Sequence, residues 1–175
     1  MHLIRILEKI LGPINKILQV GTIILFVGMT LCVLLQVLLR YVFALPMPWT
    51  EEASRFLFIW ATFMGAAIAF HDGGHLNVKL FVSRLPKGRP QAFFALMADI
   101  CCFWFLGMYT VQGFTLASRL SMMGQTPPSM DFLLMGWVYL AIPLGSVFMI
   151  ANILPGAILH LVQLISGATA EGDKS

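Results

Sequence analysis

The sequence predicts an all-α integral membrane protein with four transmembrane helices, and two observations carry the prediction. Of the 175 residues, 59% are hydrophobic and only 11% charged. Soluble domains hold about 25% charged residues, so too few polar groups are present to cover a water-facing surface. The apolar residues also fall into four long blocks separated by short polar segments, the pattern of a chain that crosses a bilayer repeatedly. A mean hydropathy of +0.87 agrees. Residues 1–175 read as one membrane domain, N-in/C-in, with short amphipathic helices along the interface.

Residues 1–16 alternate apolar and polar at helical spacing. Leu3, Leu7, Ile10, Leu11 and Ile14 can share one face, with His2, Arg5, Glu8, Lys9 and Lys16 elsewhere. This suits a helix that lies in the interface or leads directly into the first span. Gly12-Pro13 is the expected bend. The first span covers 17–39, an apolar run longer than the roughly 7–15 residues of a secretory signal, and no small-residue cleavage site follows it. It reads as a span that stays in the membrane. Arg40-Tyr41 closes it with a cation and an aromatic ring at headgroup level.

The turn from Ala44 to Trp49 contains Pro46 and Pro48, which forbid a regular helix there. Thr50 is the expected N-cap of the next helix. Glu51 and Glu52 then occupy its first turn, at the positive end of the dipole. The second span covers 54–70. Its Thr62, Gly65, Ala66 and Ala69 form a small-residue face that lets another helix approach closely. Gly73-Gly74 is the expected stop. In the connection 71–90, Val78, Phe81, Val82 and Leu85 recur at helical spacing and predict a short interfacial helix, broken between Pro86 and Pro90.

The third span covers 91–116, with Asp99 in its interior. The connection 117–131 contains a turn at Gln125-Thr126-Pro127-Pro128-Ser129. The fourth apolar block, 132–165, would measure roughly 50 Å as one helix, against a hydrocarbon core of about 30 Å. Pro155-Gly156 is the expected break. That puts the span at 132–154, with the remainder along the surface and a polar tail at 167–175.

Basic residues set the expected orientation. Arg5, Lys9, Lys16, Lys79, Arg84, Lys87, Arg89 and Lys174 fall on the side of the termini, and only Arg40, Arg55 and Arg119 on the other. By the positive-inside rule both termini are cytoplasmic. The net charge of +3 arises beside the apolar blocks and suits anionic lipid headgroups. No clustered basic face of the kind that binds nucleic acid is visible. Cys32, Cys101 and Cys102 lie inside apolar blocks without metal-ligand spacing or a disulfide framework, and read as small hydrophobes. No glycine loop for a nucleotide and no Ser-His-Asp or Cys-His set is present within the spans, so no catalytic activity is expected.

The richest polar constellation runs from Arg40 to Trp60. Glu51 and Arg55 are i, i+4 and Glu52 and Arg55 are i, i+3, so one turn can pair both acids with one cation. At a water-exposed surface such a pair contributes only about a few tenths of a kcal/mol, and at a membrane boundary an unpaired charge costs more. Both an ordinary charged helix end and a docking surface for another membrane protein fit it.

Arg40-Tyr41-Val42-Phe43, then Pro48-Trp49-Thr50-Glu51-Glu52-Ala53-Ser54-Arg55, then Trp60, Gly65-Ala66 and Gly74-His75-Leu76-Asn77-Val78 stand in that order over about residues 36–80. This set resembles the signature of the small membrane subunit (DctQ-like) of tripartite ATP-independent periplasmic (TRAP) transporters. The resemblance implies a bacterial inner-membrane subunit that packs on a large multi-span membrane subunit. It further implies a soluble periplasmic binding protein that delivers an organic acid, usually a carboxylate. A sodium gradient would drive uptake, with ion sites in the large subunit and no cofactor in this one. Arg40, Trp49, Glu51, Glu52 and Arg55 would lie on or near the periplasmic side. Together with Trp60, Gly65 and His75 they are the expected partner-interface or structural residues.

His71 and His75 have a metal-compatible i, i+4 spacing. Gly73-Gly74 between them argues for an ended helix, and capping or interfacial hydrogen bonding is the better account. Asp99 is the notable intramembrane acid, since ionisable groups within a span are costly. It either reaches water near the cytoplasmic end or pairs with a basic group of the second connection. Gln36, Gln112 and Asn152 are scattered and form no evident ion path. Two other functions compete. A stand-alone small exporter working as a dimer would use Asp99 as its embedded acid. A haem-binding redox subunit needs axial histidines inside spans, whereas His2, His71, His75 and His160 fall at ends or in surface segments.

Overall fold

Inside a bilayer the backbone must satisfy its own hydrogen bonds, and this chain does so with helices. The computed structural model describes residues 2–45, 47–71 and 89–166. The order is α1 (His2–Tyr41), α2 (Pro48–His71), α3 (Arg89–Met122), the short α4 (Met135–Tyr139) and α5 (Ala141–Ser166). Among the described residues four stretches are long and apolar enough to cross a membrane: Leu11–Tyr41, Pro48–His71, Phe93–Met122 and Met135–Val162, the last joining α4 to α5.

Several expected boundaries move. Helix α1 continues through Gly12 and Pro13, so the amphipathic segment leads straight into the span. Helix α5 likewise continues through Pro155 and Gly156, where a break was expected. The reason is the same in both. An internal proline removes one intrahelical hydrogen bond, but a break would strand several backbone groups where water is scarce. The continuity of α5 keeps Asn152 and His160 on one rigid element.

Helix α3 runs to Met122, past the expected end at 116. It stops where Gly124 takes φ 62°, with Gln125 N–H donating to Leu120 O at 3.2 Å and Gly124 N–H to Ser121 O at 3.1 Å. These bonds satisfy the last carbonyls in the left-handed cap that glycine adopts without strain. At the other boundary, Thr50 is not the N-cap of α2. Pro48 opens the helix, in the one position where its missing N–H costs nothing. The Thr50 hydroxyl instead donates to the Met47 carbonyl at 2.7 Å, and Thr50 is fully buried. The expected stop at Gly73-Gly74, the interfacial helix of the second connection and the polar tail lie outside the described residues.

The helices form an open row rather than a closed bundle. Helix α1 packs along α2, α2 along α5, and α5 along α3, while α1 meets α5 only lightly. The backbones of α1 and α2 nowhere approach α3. Small residues set the closest seams. A Cβ on Gly145 of α5 would lie 2.7 Å from Phe63 Cβ of α2, and one on Gly113 of α3 would lie 2.8 Å from Ile142 Cγ2 of α5. Ala67, Leu106, Met149 and Ile153 make the buried core over α5, with Phe63, Phe70, Cys102 and Phe103 packed around it. The outer face of α1, with Ile24, Val27, Leu31 and Leu34, stays exposed.

Candidate partner interface and intramembrane polar pairs

The sequence-derived residues gather at the end of the row formed by the α1–α2 turn and the α3–α4 loop. The Arg40 guanidinium sits 5.9 Å from the centroid of the Tyr41 ring. Glu51 Oε1 pairs with Arg55 Nη2 at 3.1 Å, both side chains well exposed, and Gln36 Nε2 of α1 reaches Glu51 Oε2 at 3.5 Å.

Glu52 does not join this pair. Its Oε2 accepts the Ser129 N–H at 3.3 Å, across 77 residues of sequence. One residue along a helix turns the side chain by about 100°, and this takes Glu52 away from Arg55 and toward the loop that leads to α4. The Ser129 N–H, just after Pro127 and Pro128 interrupt any regular ladder, takes its acceptor from this carboxylate. It is closed by Met130 N–H on Pro127 O at 3.2 Å and Met135 N–H on Gln125 O at 2.9 Å, and Pro127 is buried.

Trp49 is exposed and Trp60 half-buried. Gly65 faces α1, where a Cβ would lie 3.6 Å from Thr22 Cγ2. The small-residue face of α2 is thus used at Gly65 and at Ala66, which packs on the core, while Thr62 and Ala69 are exposed. His75 lies outside the described residues.

The other end of the row, where α1 begins and α5 finishes, holds a set of polar pairs that sequence reasoning did not assemble. Asn15 and Asn152 are buried and exchange two hydrogen bonds, 2.8 and 2.9 Å. Asn152 Nδ2 also donates to Ala67 O of α2 at 2.8 Å. Asp99 is 3% exposed, and its Oδ2 lies 2.7 Å from His160 Nδ1. Which of the two groups donates is set by the imidazole tautomer.

One expectation is corrected here. His160 belongs to α5 rather than to a surface segment, because α5 does not break at Pro155. Asn152 also gains a partner that the sequence reading did not name, Asn15. The pairing of Asp99 with a basic group of the second connection falls on residues outside those described. A signal for Asn15 was present: it lies between Leu11 and Leu18 at i+4 and i−3, and both leucines are buried. The result is that α5 is polar-bonded to α1, α2 and α3 alike. Among the described residues no group of three His, Cys, Asp or Glu could hold a metal ion.

The fold and these pairs define a small multi-pass membrane protein whose buried polar groups join its own helices and whose flanks are open. Residues 29–164 match the family described as tripartite ATP-independent periplasmic transporters, DctQ component, and the chain belongs to that family. It is 40% identical over 94 residues to a putative TRAP transporter small permease protein of Haemophilus influenzae, covering 51% of this chain and 58% of that one. It is 26% identical over 171 residues to the sialic acid TRAP transporter small permease protein SiaQ of Vibrio cholerae, covering 95% and 92%. A third relative, the isethionate TRAP transporter permease protein DctMQ of Oleidesulfovibrio alaskensis, is 34% identical over 53 residues, which are 30% of this chain and 8% of the relative. The resemblance seen over 36–80 therefore extends along most of the chain, and the relatives are transporter permeases rather than enzymes.

Proposed function

We propose that this chain packs beside the large multi-span membrane subunit of a TRAP transporter and holds it in the bacterial inner membrane. A periplasmic binding protein delivers an organic acid to that assembly, and a sodium gradient drives its uptake. The observation that carries this reading is the open row of helices. A single chain that transported alone would need to enclose a path, and among the described residues α1 and α3 stand apart at opposite edges. The DctMQ relative, in which the matched segment is a small fraction of a longer permease, supports a large partner.

The sequence bias of Arg5, Lys9, Lys16, Lys79, Arg84, Lys87, Arg89 and Lys174 against Arg40, Arg55 and Arg119 supports cytoplasmic termini. In that orientation the Glu51–Arg55 pair and the Glu52-pinned loop face the periplasm, where a binding protein docks. Sodium sites and substrate selection belong to the large subunit. Asp99 is held against His160 rather than lining a path, which disfavours the exporter reading. The test is uptake into proteoliposomes containing the large subunit and binding protein, with and without this chain. Sodium-dependent uptake should require the chain, and equal uptake without it would refute the reading.

A further inference from the structure

We propose that the outer face of α3 around Gly107 and Gln112 receives a membrane-spanning helix of the large subunit, which presents a hydrogen-bonding group to the Gln112 amide. This rests on the reading that the large subunit is the partner, and adds which face it occupies. A shallow, open depression lies there, lined by Phe103, Trp104, Gly107, Met108, Val111 and Gln112, all of α3. Trp104 is 74% and Val111 68% exposed. A Cβ on Gly107 would meet nothing within 4 Å, so no contact inside this chain requires a notch at that point.

Gln112 distinguishes this face from a lipid-covered one. It is exposed and lies two turns inward from Arg119, about 10 Å deeper along the helix. Lipid tails offer an amide no partner, and leaving a polar group unsatisfied in hydrocarbon is costly. The exposed threonines Thr30, Thr62 and Thr115 avoid that cost by donating to the carbonyl four residues back, at 2.8 to 2.9 Å. Gln112 has no hydrogen-bond partner among the described residues. At the opposite edge of the row, the outer face of α1 is built of Ile24, Val27, Leu31 and Leu34, which lipid alone satisfies. Of the two edges, α3 carries both the notch that admits a neighbouring helix and the polar group that needs one.

The test is co-expression of the tagged chain with the large subunit of its own transporter, followed by gentle extraction and quantification of the large subunit recovered. Gly107→Leu fills the notch, its Cβ meets nothing within 4 Å, and leucine is the better helix former. It should leave membrane insertion unchanged and lower recovery about tenfold, the change expected for losing one well-made contact. Gln112→Leu should also lower recovery, whereas Leu31→Trp on the outer face of α1 should not. A photo-crosslinker at Met108 should form an adduct with the large subunit, a readout that does not depend on the variants. Full recovery with both α3 variants, with or without loss in Leu31→Trp, would overturn the assignment of this face and leave the partnership standing. An adduct between two copies of this chain would also overturn it. Wild-type chain that brings down no large subunit would refute the underlying reading itself.

Discussion

Asn15 of α1 and Asn152 of α5, 137 residues apart, exchange two hydrogen bonds of 2.8 and 2.9 Å in a buried seam. A third bond ties the same Asn152 amide to the Ala67 carbonyl of α2. One asparagine thus fixes the relative height of three helices that the hydrophobic effect cannot set, since lipid and leucine are equally apolar.

Asn152→Leu removes all three bonds and leaves the Asn15 amide buried without partners. Hydrogen bonds between membrane helices contribute about 0.6 kcal/mol on average and up to about 1.7, so the expected loss is about 1–2 kcal/mol. Asn15→Leu should cost less, because Asn152 keeps Ala67. The double variant should lose less than the sum, since no orphaned amide remains on α1. A double-mutant cycle by unfolding in mixed micelles measures this, and two neutral single variants would contradict it.

The Asp99–His160 contact makes the corresponding tie from α3 to α5. Asp99→Leu strips the imidazole of an acceptor and should cost about 1.5–3 kcal/mol, the range for hydrogen bonds to charged groups. Asp99→Asn retains an acceptor oxygen and should cost less. Uptake by the assembled transporter should survive Asp99→Asn. Lost uptake in a well-folded Asn variant would instead place Asp99 on a transport path.

The two adjacent glutamates should separate cleanly. Glu52→Ala takes the acceptor from Ser129 N–H and should raise deuterium uptake in the loop 125–131. Glu51→Gln weakens an exposed pair whose contribution is within about 0.2–1 kcal/mol, and should leave that loop unchanged. Equal effects of the two substitutions would refute the assignment of Glu52 to the loop.

Glycine substitutions should follow the seams. Gly145→Ala forces a Cβ to within 2.7 Å of Phe63 Cβ and 3.2 Å of Phe63 O, and overpacking of this kind costs about 1–3 kcal/mol. Gly21→Ala meets nothing within 4 Å and should be neutral or stabilising by up to about 1 kcal/mol. Thermal unfolding in detergent ranks the pair, and a tolerated Gly145→Ala would mean that α2 and α5 separate easily.

The four spans were legible because hydrocarbon imposes a length and a composition on any crossing helix. Arg40 through Arg55 stood out because their order is local in sequence. The break at Pro155 was misread because rules for proline assume water at the break, and a helix in lipid continues instead; the start at Thr50 was misplaced because Pro48 takes the first helical position. The pairs Asn15–Asn152, Asp99–His160 and Glu52–Ser129 were not legible as pairs. Each joins distant segments, and which helix lies beside which is decided by seams such as Gly145 on Phe63. Periodicity marks a face but does not name its neighbour. The i, i+3 spacing of Glu52 and Arg55 was a valid local option that the α3–α4 loop outcompeted.

The central claim is that this open row is one part of a larger membrane assembly. Its most direct test is to tag the chain in its native membrane, extract it in mild detergent, and identify and quantify what remains bound. The account predicts a large multi-span TRAP membrane subunit at equal stoichiometry. A chain that runs alone or as a homodimer, in detergents that preserve other membrane complexes, would contradict it.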